Sequence, residues 1–296
     1  MATPPELLEF QRTLRAPPGG SVRDLLTAFD RYANTDPAPV AAMHRGVPIR
    51  EVAGWRVTAD IYVPFGEPPF PVLVYMHGGA WTIGAPRTHR RLTAELAALG
   101  LLVMSIDYRR APKHRFPAAV EDAVHASAWA SEHCERYGGD PARILVGGDS
   151  AGANLAAAVA ASGAPVDLQA AILLYGIYDF YRALPVLACL VGGSDAQSQL
   201  YVPPEQFEAL RDDPRLCPEY ACAGFPPTFL GVGEHDPLLD ESLRLAAQLE
   251  QCAVTHTLHV ATNAPHGFLQ MPSLPAHTAG LEAVQRFLRE LPAPSG

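Results

Sequence analysis

The sequence has little lysine, no long hydrophobic run and no paired cysteines, and each shortage excludes a class of protein. Lys113 is the only lysine among 296 residues, so a lysine-dependent mechanism has a single candidate. Because no run of about 18 apolar residues occurs, we expect no transmembrane helix. The first ten residues lack the basic start and apolar core of a secretory signal, so we predict a cytoplasmic protein.

Cysteine is scarce, and its pattern indicates no metal cage or covalent framework. The five cysteines include no Cys-x-x-Cys pair, and their odd number argues against a disulfide framework. The net charge of −9 makes the chain a poor partner for polyphosphates. We therefore expect neither nucleic acid nor an anionic membrane as a target.

The chain is long and apolar enough for one large domain with a packed core. Hydrophobic residues make up 48% of it and charged residues 18%. Nearly uninterrupted apolar runs alternate with helical spacing, which is typical of a parallel sheet covered on both faces. The predicted strands are 71–76, 101–106, 144–146, 170–175 and 228–232, with two antiparallel strands in 47–63 and a late, partly exposed strand at 255–260. The predicted helices are 91–99, 118–134, 151–161, one after Asp236 with Pro237 in its first turn, and a closing helix through 284–291.

Two regions do not follow this alternation. Residues 1–40 predict two short amphipathic helices separated by a Pro-Pro-Gly-Gly break, and residues 180–215 combine prolines and glycines with helical patches. Long connections inside compact domains usually have a role. We interpret 180–215 as an insertion at the carboxyl edge of the sheet that packs with 1–40 as a lid. The alternative is an ordinary long connection.

A candidate nucleophile lies in Gly148-Asp149-Ser150-Ala151-Gly152, which fits the pattern Gly-x-Ser-x-Gly. The serine of this motif occupies a strained turn between a strand and a helix, where small neighbours let the backbone pack closely. A predicted strand precedes Ser150 and an alanine-rich helix follows it, with the positive end of the helix dipole directed at the serine. The alternative is a glycine turn with a helix N-cap serine.

A candidate oxyanion loop, His77-Gly78-Gly79-Ala80-Trp81, follows the predicted strand 71–76. Hydrolases with this kind of serine turn take an amide donor from the loop at this place. Losing one such donor costs on the order of 3 kcal/mol of transition-state stabilisation. The alternative is a plain glycine turn in which His77 is a packed residue.

Eleven histidines compete for the role of base. The base must reach Ser150 from the carboxyl edge of the sheet, and the chain order in this class is Ser, then Asp or Glu, then His. His266 follows both the serine and the last predicted strand, so we select it. His256 and His259 lie inside that strand, and we expect them to be structural. The other histidines are His44, His77, His89, His114, His125, His133, His235 and His277.

The orienting carboxylate should follow the strand 228–232, where Glu234, Asp236 and Asp240 are available. We favour Asp236, at the transition from loop to helix. Its structural alternative is a helix N-cap before Pro237. Asp240 is the main competitor, although we expect it on the first turn of the helix, where it complements the dipole.

Together these motifs resemble the hormone-sensitive-lipase-like esterases of the α/β-hydrolase fold, also called bacterial family IV. The resemblance covers about residues 45–290. Its four blocks, in order, are 77–81, 107–119, 148–155, and Asp236-Pro237-Leu238-x-Asp240 with His266-Gly267-Phe268. It implies an α/β fold with a mostly parallel eight-stranded sheet flanked by helices. It also implies a single domain over 1–296 with a helical cap formed by about 1–40 and 180–215.

The resemblance further implies the roles of individual residues. Ser150 is expected to be the nucleophile, His266 the base and Asp236 the acid. Oxyanion donors are expected from the Gly78–Ala80 loop and from the residue after the nucleophile, and two aromatic residues are expected to line the substrate pocket. The residues concerned are Gly78, Gly79, Ala80 and Ala151 for the oxyanion hole, and Trp81 and Phe268 for the pocket.

Three positions depart from the family pattern. Ala80 replaces the third glycine; its N–H can still serve the oxyanion hole if φ is negative there, and its methyl group would narrow the acyl pocket. Arg110 and Lys113 stand where the family usually has Leu and Glu. Lys113 reverses a charge, so an ion pair made by that glutamate is not expected here.

We therefore predict hydrolysis of small short-chain esters through an acyl-enzyme, with no metal or cofactor. An amidase or deacetylase acting on a small acylated molecule would use the same side chains. A third hypothesis is a non-catalytic binding protein of the same fold, which the presence of His266 disfavours. Dimers are common among similar proteins, so monomer and homodimer both stay open.

Overall fold

The computed structural model describes residues 30–52, 54–162, 166–190 and 201–292. An eight-stranded sheet forms its centre, with the strand order β1-β2-β4-β3-β5-β6-β7-β8. The β1–β2 and β2–β4 pairs are antiparallel, and the other five pairs are parallel. The strands are β1 Ala42–Val52, β2 Trp55–Val63, β3 Phe70–Met76, β4 Leu102–Asp107, β5 Gly139–Asp149, β6 Leu168–Leu174, β7 Thr228–Gly233 and β8 His256–Ala261. The predicted fold class is confirmed.

Helices connect the parallel strands and cover both faces of the sheet. They are α1 Arg90–Ala98, α2 Ala118–His133, α3 Ala151–Ala161, α4 Phe180–Leu190, α5 Leu239–Gln251 and α6 Pro275–Glu290. Short 3-10 helices lie at Pro86–His89, Cys134–Tyr137, Pro204–Gln206, Pro218–Gly224 and Phe268–Gln270. No helix within these described ranges is long and apolar enough to cross a membrane.

The hydrophobic core lies in two layers, one on each face of the sheet. Along β3, Val72 and Val74 face one layer while Leu73 and Tyr75 face the other, and all four are fully buried. The first layer contains α2, α3 and α5, and the second contains α1 and α6. Burial on both faces explains why the central strands appear in the sequence as continuous apolar runs.

Three predicted boundaries are wrong, two of them because polar or small residues hide part of an element. β5 begins at Gly139, five residues before the predicted strand, since its first half is polar and contains a proline. α6 begins at Pro275 rather than near 284, because its first turns bury His277 and Gly280 instead of large apolar side chains. α5 begins at Leu239, so Pro237 precedes the helix instead of lying in its first turn.

The predicted cap falls largely outside the described residues. The two predicted N-terminal helices lie mostly in 1–29, of which the structure describes nothing; residues 30–33 are helical. Within 180–215, α4 is fixed to the body by Arg182, which donates to Glu219 and Glu241. The side chain of Asn154 in α3 donates to the carbonyl oxygen of Leu216 at 3.1 Å. A cap made of both regions stays a prediction.

Candidate active site

Three side chains meet at the carboxyl edge of the sheet. Ser150 directly follows β5, Asp236 follows β7 and His266 follows β8. His266 Nε2 lies 3.1 Å from Ser150 Oγ, and His266 Nδ1 lies 2.9 Å from Asp236 Oδ2. Because an ionised carboxylate only accepts hydrogen bonds, Nδ1 carries the proton and donates it to Asp236. Nε2 is then free to accept the serine proton.

Ser150 sits on a strained turn. Its φ of 54° and ψ of −119° lie in a region that side chains rarely adopt. The Ser150 amide donates to the carbonyl oxygen of Leu174 at 2.9 Å, which ties the turn to the end of β6. A Cβ on Gly152 would overlap the carbonyl oxygen of Met76, so only glycine lets α3 begin this close to the end of β3.

Of the three candidate carboxylates, Asp236 alone contacts His266. It is buried, and its Oδ1 also accepts the amide of Leu238 at 2.8 Å. Glu234 is exposed and accepts the amide of Asn263 at 2.9 Å. Asp240 is exposed on the first turn of α5, where the sequence predicted it.

The candidate oxyanion loop turns sharply after β3. Gly79 has a φ of 126°, and a Cβ there would overlap the carbonyl oxygen of Ile83. That turn is closed by the amides of Thr82 and Ile83, which both donate to the carbonyl oxygen of Gly79 at 3.0 Å. The position therefore requires glycine for its backbone angle and for the space around it.

Ala80 has a φ of +49°, whereas the prediction from the sequence required a negative φ for its N–H to serve the oxyanion hole. Trp81 follows with a φ of 59°. A side chain in this left-handed region costs about 1–2 kcal/mol per residue. The loop thus holds two adjacent residues in a strained conformation, which is typical of functional sites.

One predicted oxyanion donor is wrong. The amide of Gly78 already donates to Asp149 Oδ1 at 2.9 Å, so it is not available to a substrate oxygen. By contrast, in the part of the chain that the structure describes, the amides of Gly79, Ala80 and Ala151 have no hydrogen-bond partner. These three amides remain candidates. Ala80 is kept among them because its amide has no partner among the described residues, although its φ is positive and so the condition of a negative φ is not met.

The two aromatic residues predicted for the pocket lie on different sides of the sheet. Trp81 is fully buried and stacks on Tyr201, with ring centroids 4.6 Å apart, and it also contacts Phe180 of α4 at 5.6 Å. Phe268 lies in the opposite core layer, with its ring centroid 5.7 Å from that of Tyr175. The two rings are therefore not brought together, and the expectation that Phe268 lines the substrate pocket stays a prediction.

His77, first in the oxyanion loop, is a packed residue. Its ring stacks on Tyr108 at 4.4 Å, and Nδ1–H donates to the carbonyl oxygen of Gly78 at 2.8 Å. Burial, followed by repulsion from the neighbouring His89, lowers the pKa of His77 to about 3. The ring is neutral at working pH, so it adds no charge to the loop.

Lys113, which reverses a charge relative to the family pattern, contacts an aromatic ring instead of forming an ion pair. Its Nζ lies 4.8 Å from the centre of the Trp55 ring, in a cation–π arrangement. Arg110, the other departure in this block, pairs with Asp107 at 2.5 Å. Both residues thus bind β-sheet residues locally and do not reach the three convergent side chains.

Reasoning from the sequence missed the partners of Asp149. Its carboxylate is bonded to Tyr75, Gly78 and Gln270 and lies beside His89, all from other segments. The available signal was an acidic residue three positions after the strand 144–146, which was predicted to be buried. Such a carboxylate requires several hydrogen-bond donors around it.

Comparison with known families matches residues 73–270 to an α/β-hydrolase fold family. The matched segment covers more than half of the chain and contains Ser150, Asp236 and His266. The chain belongs to the α/β-hydrolases and, within them, to the hormone-sensitive-lipase-like family IV that the motifs resemble.

Two of the similar curated proteins come from Mycobacterium tuberculosis. Carboxylic ester hydrolase LipN is 37% identical over 236 residues, a match that covers 73% of this chain and 62% of LipN. Carboxylesterase NlhH is 32% identical over 269 residues, covering 79% of this chain and 81% of NlhH. The match thus spans less than two thirds of LipN but about four fifths of NlhH.

Solved structures of similar proteins superpose over nearly the whole chain. An esterase from Pyrobaculum calidifontis has a TM-score of 0.81 and 27% identity, covering 98% of this chain and 100% of that one. EstE1, a thermophilic carboxylesterase from a metagenomic library, has a TM-score of 0.78 and 26% identity, covering 94% of this chain and 100% of its own.

Proposed function

We propose that the protein is a serine carboxylesterase that hydrolyses short-chain acyl esters through an acyl-enzyme. One observation carries the proposal: the hydrogen-bonded series from Asp236 through His266 to Ser150. The names of its relatives, which include carboxylesterases and esterases, support an ester as the substrate class. Ser150 is the proposed nucleophile, His266 the base and Asp236 the residue that orients the base.

The proposed cycle has two halves. As Ser150 Oγ attacks the ester carbonyl, His266 Nε2 takes the hydroxyl proton, and the Asp236 carboxylate stabilises the imidazolium. The imidazolium then gives that proton to the departing alkoxide, which leaves the acyl group on Ser150. A water deprotonated by the same imidazole attacks the acyl-enzyme and releases the acid, with the serine reprotonated.

The amides of Gly79, Ala80 and Ala151 are the proposed donors to the oxyanion. Ala151 is the first residue of α3, where an amide has no partner within the helix. The positive end of the helix dipole lies at the same point and favours a developing negative charge. Preorganised donors of this kind contribute about 3 kcal/mol each to the transition state.

Aromatic packing beside the oxyanion loop supports a preference for short acyl groups. Trp81 is held between Tyr201 and Phe180, and the Ala80 methyl group occupies space that a glycine would leave open. Rings already in contact with one another leave little room for a long hydrocarbon chain. We therefore expect acetate to butyrate esters to be preferred.

The proposal is tested with p-nitrophenyl esters from acetate to dodecanoate. The expected optimum lies at acetate to butyrate, and Ser150→Ala should lower kcat by about 10⁴-fold or more. Ser162→Ala, at the far end of α3, is the control and should leave kcat unchanged. Activity of the Ser150 variant comparable to wild type would refute the nucleophile, and an optimum at decanoate or longer would refute the short pocket.

A paired assay separates an esterase from an amidase. The same acyl group is offered as a nitrophenyl ester and as the matching nitroanilide, and kcat/KM is compared. The carboxylesterase proposal predicts that the ester is favoured by more than the intrinsic difference in leaving-group reactivity. Comparable turnover of both substrates would instead favour an amidase or deacetylase.

A further inference from the structure

The carboxylate of Asp149, the residue before the proposed nucleophile, meets groups from four separate positions in the chain. Oδ1 accepts the Tyr75 hydroxyl at 2.6 Å and the Gly78 amide at 2.9 Å. Oδ2 accepts the side-chain amide of Gln270 at 3.0 Å and lies 3.3 Å from His89 Nε2. The side chain is only 3% exposed, so water cannot replace these partners.

Two of these partners belong to the loops that hold the proposed reactive groups. Gly78 opens the oxyanion loop, and Gln270 lies four residues after His266. The carboxylate is therefore bonded to the loop of the oxyanion donors and to the loop of the base. It is also one residue away from Ser150 in the chain.

The oxyanion loop rests directly on this carboxylate. A Cβ on Gly78 would overlap Oδ2 of Asp149 and would lie 3.0 Å from its carbonyl oxygen. The backbone of the loop at Gly78 is therefore in direct contact with the side chain of Asp149, the residue that immediately precedes Ser150.

The Asp149 carboxylate is suited to accept hydrogen bonds from all of these donors. Burial would raise the pKa of Asp149, but attraction to His89 and hydrogen bonds from His89, Tyr75 and the Gly78 amide hold it below its usual value. Burial, together with the charge of Asp149, raises the pKa of Tyr75, so its hydroxyl stays a donor. An ionised carboxylate has sites for about four donors, which matches this arrangement.

We propose that Asp149 is a positioning residue for ester hydrolysis, whose carboxylate fixes the oxyanion loop and the base loop relative to Ser150. This inference rests on the proposed esterase function. Asp149 does not touch substrate; it acts through Gly78 and Gln270. Misplaced donors weaken binding of the transition state more than binding of the substrate, so loss of Asp149 should lower kcat and leave KM nearly unchanged.

The test compares Asp149→Asn and Asp149→Ala with a control on the same strand. Asparagine keeps an oxygen that can accept from Tyr75 and Gly78, whereas alanine keeps none. We expect kcat per active site to fall by about 100-fold in Asp149→Ala and by about tenfold or less in Asp149→Asn. The control is Asp140→Ala, which removes a contact with Arg143 at the opposite end of β5 and should leave kcat unchanged.

Two further readouts separate positioning from a loss of folded protein. Active sites are counted by titration with an organophosphate, so kcat refers to competent molecules alone. Affinity for a phenylboronic acid, whose tetrahedral adduct with Ser150 places an oxygen in the oxyanion hole, should fall by the same factor as kcat. Gln270→Ala keeps the Asp149 carboxylate and removes one of its hydrogen-bond donors, so it should lower kcat by about threefold to tenfold. This variant replaces Asp149→Ala in the test if Asp149→Ala does not fold.

Unchanged kcat per titrated site in Asp149→Ala and Gln270→Ala would overturn the proposal. An Asp149→Asn variant as impaired as Asp149→Ala would also overturn it, because hydrogen-bond acceptance would then not be the property that matters. Failure of the esterase function itself gives a different result. In that case the wild-type protein neither turns over the ester nor reacts with the organophosphate.

Discussion

His266 Nδ1 lies 2.9 Å from Oδ2 of Asp236, whose side chain is wholly buried, whereas Asp240 four residues later is exposed. An Asp236→Asn substitution keeps the shape of this contact but favours the wrong imidazole tautomer. We predict that it lowers kcat on p-nitrophenyl acetate by about 10³–10⁴-fold with little change in KM.

Asp240→Asn is the matched control for that measurement, because it makes the same chemical change on the exposed first turn of α5. Its kcat should equal that of the wild type. Comparable losses in the two variants would contradict the assignment of Asp236 as the residue that orients the base.

Ala80 offers a test of the acyl pocket. Glycine relieves the strain of a φ of 49° but makes the unfolded chain more flexible, so we expect Ala80→Gly to change the free energy of unfolding by less than about 1 kcal/mol. Removing the methyl group widens the pocket. The ratio of kcat/KM for hexanoate to that for acetate should rise about tenfold.

Ala253→Gly controls for the backbone effect alone, since Ala253 is exposed and has a φ of 55°. It should show the same small change in stability with an unaltered chain-length profile. An unaltered profile in Ala80→Gly as well would mean that the methyl group does not limit the acyl chain.

The neutral His77 should make the fold sensitive to acid. Its pKa is about 3 in the folded protein, well below the ordinary value for histidine, so the unfolded chain binds more protons between about pH 3 and 6.5. Stability therefore falls as the pH falls through this window, by at most about 1.4 kcal/mol per pH unit from this group. His77→Asn should flatten that decline in urea unfolding measured from pH 7 to 4.

The exposed His125 provides the control, because His125→Asn should leave the pH dependence parallel to that of the wild type. Subtracting the two curves removes contributions from groups that all the proteins share. Parallel curves for wild type and His77→Asn would show that His77 is protonated equally in the folded and unfolded states.

Arg182 should contribute strongly to stability. It donates to Glu241 at 2.6 Å and to both oxygens of Glu219 at 2.6 and 2.8 Å, and both glutamates are buried. Arg182→Ala leaves two buried carboxylates without their cation, and we predict a loss of about 3 kcal/mol in the free energy of unfolding. Arg244→Ala, on the exposed face of α5, should change it by less than about 0.5 kcal/mol. Equal small losses would contradict the stabilising role of this cluster.

The sequence predicted the features that depend on local pattern and chain order. Continuous apolar runs identified β3, β4, β6 and β7, because these strands are buried on both faces. The order of motifs also selected Ser150, Asp236 and His266, which the structure brings within hydrogen-bonding distance. Each of these three residues follows a parallel strand, so the fold alone places all three at the same edge of the sheet.

The features missed depend on direction and on distant contacts. Phe268 is adjacent to His266 in its motif, but Gly267 has a φ of 74° and turns the chain, which sends the Phe268 ring into the other core layer. Likewise, no feature of the sequence around Gly78 indicates that its amide donates a hydrogen bond to Asp149, 71 residues later. The hydrophobic pattern and the motifs predict local structure along the chain, whereas these contacts depend on how separate loops pack against one another.

The role of Ser150 as nucleophile is tested most directly by the mass of the protein after reaction with a fluorophosphonate. We predict a single covalent adduct per chain, located by peptide mapping on Ser150. The adduct should be absent from Ser150→Ala and should form much more slowly in His266→Ala. No adduct on the wild-type protein, or an adduct on a different residue, would contradict this role and would favour a binding protein that has the fold without the catalysis.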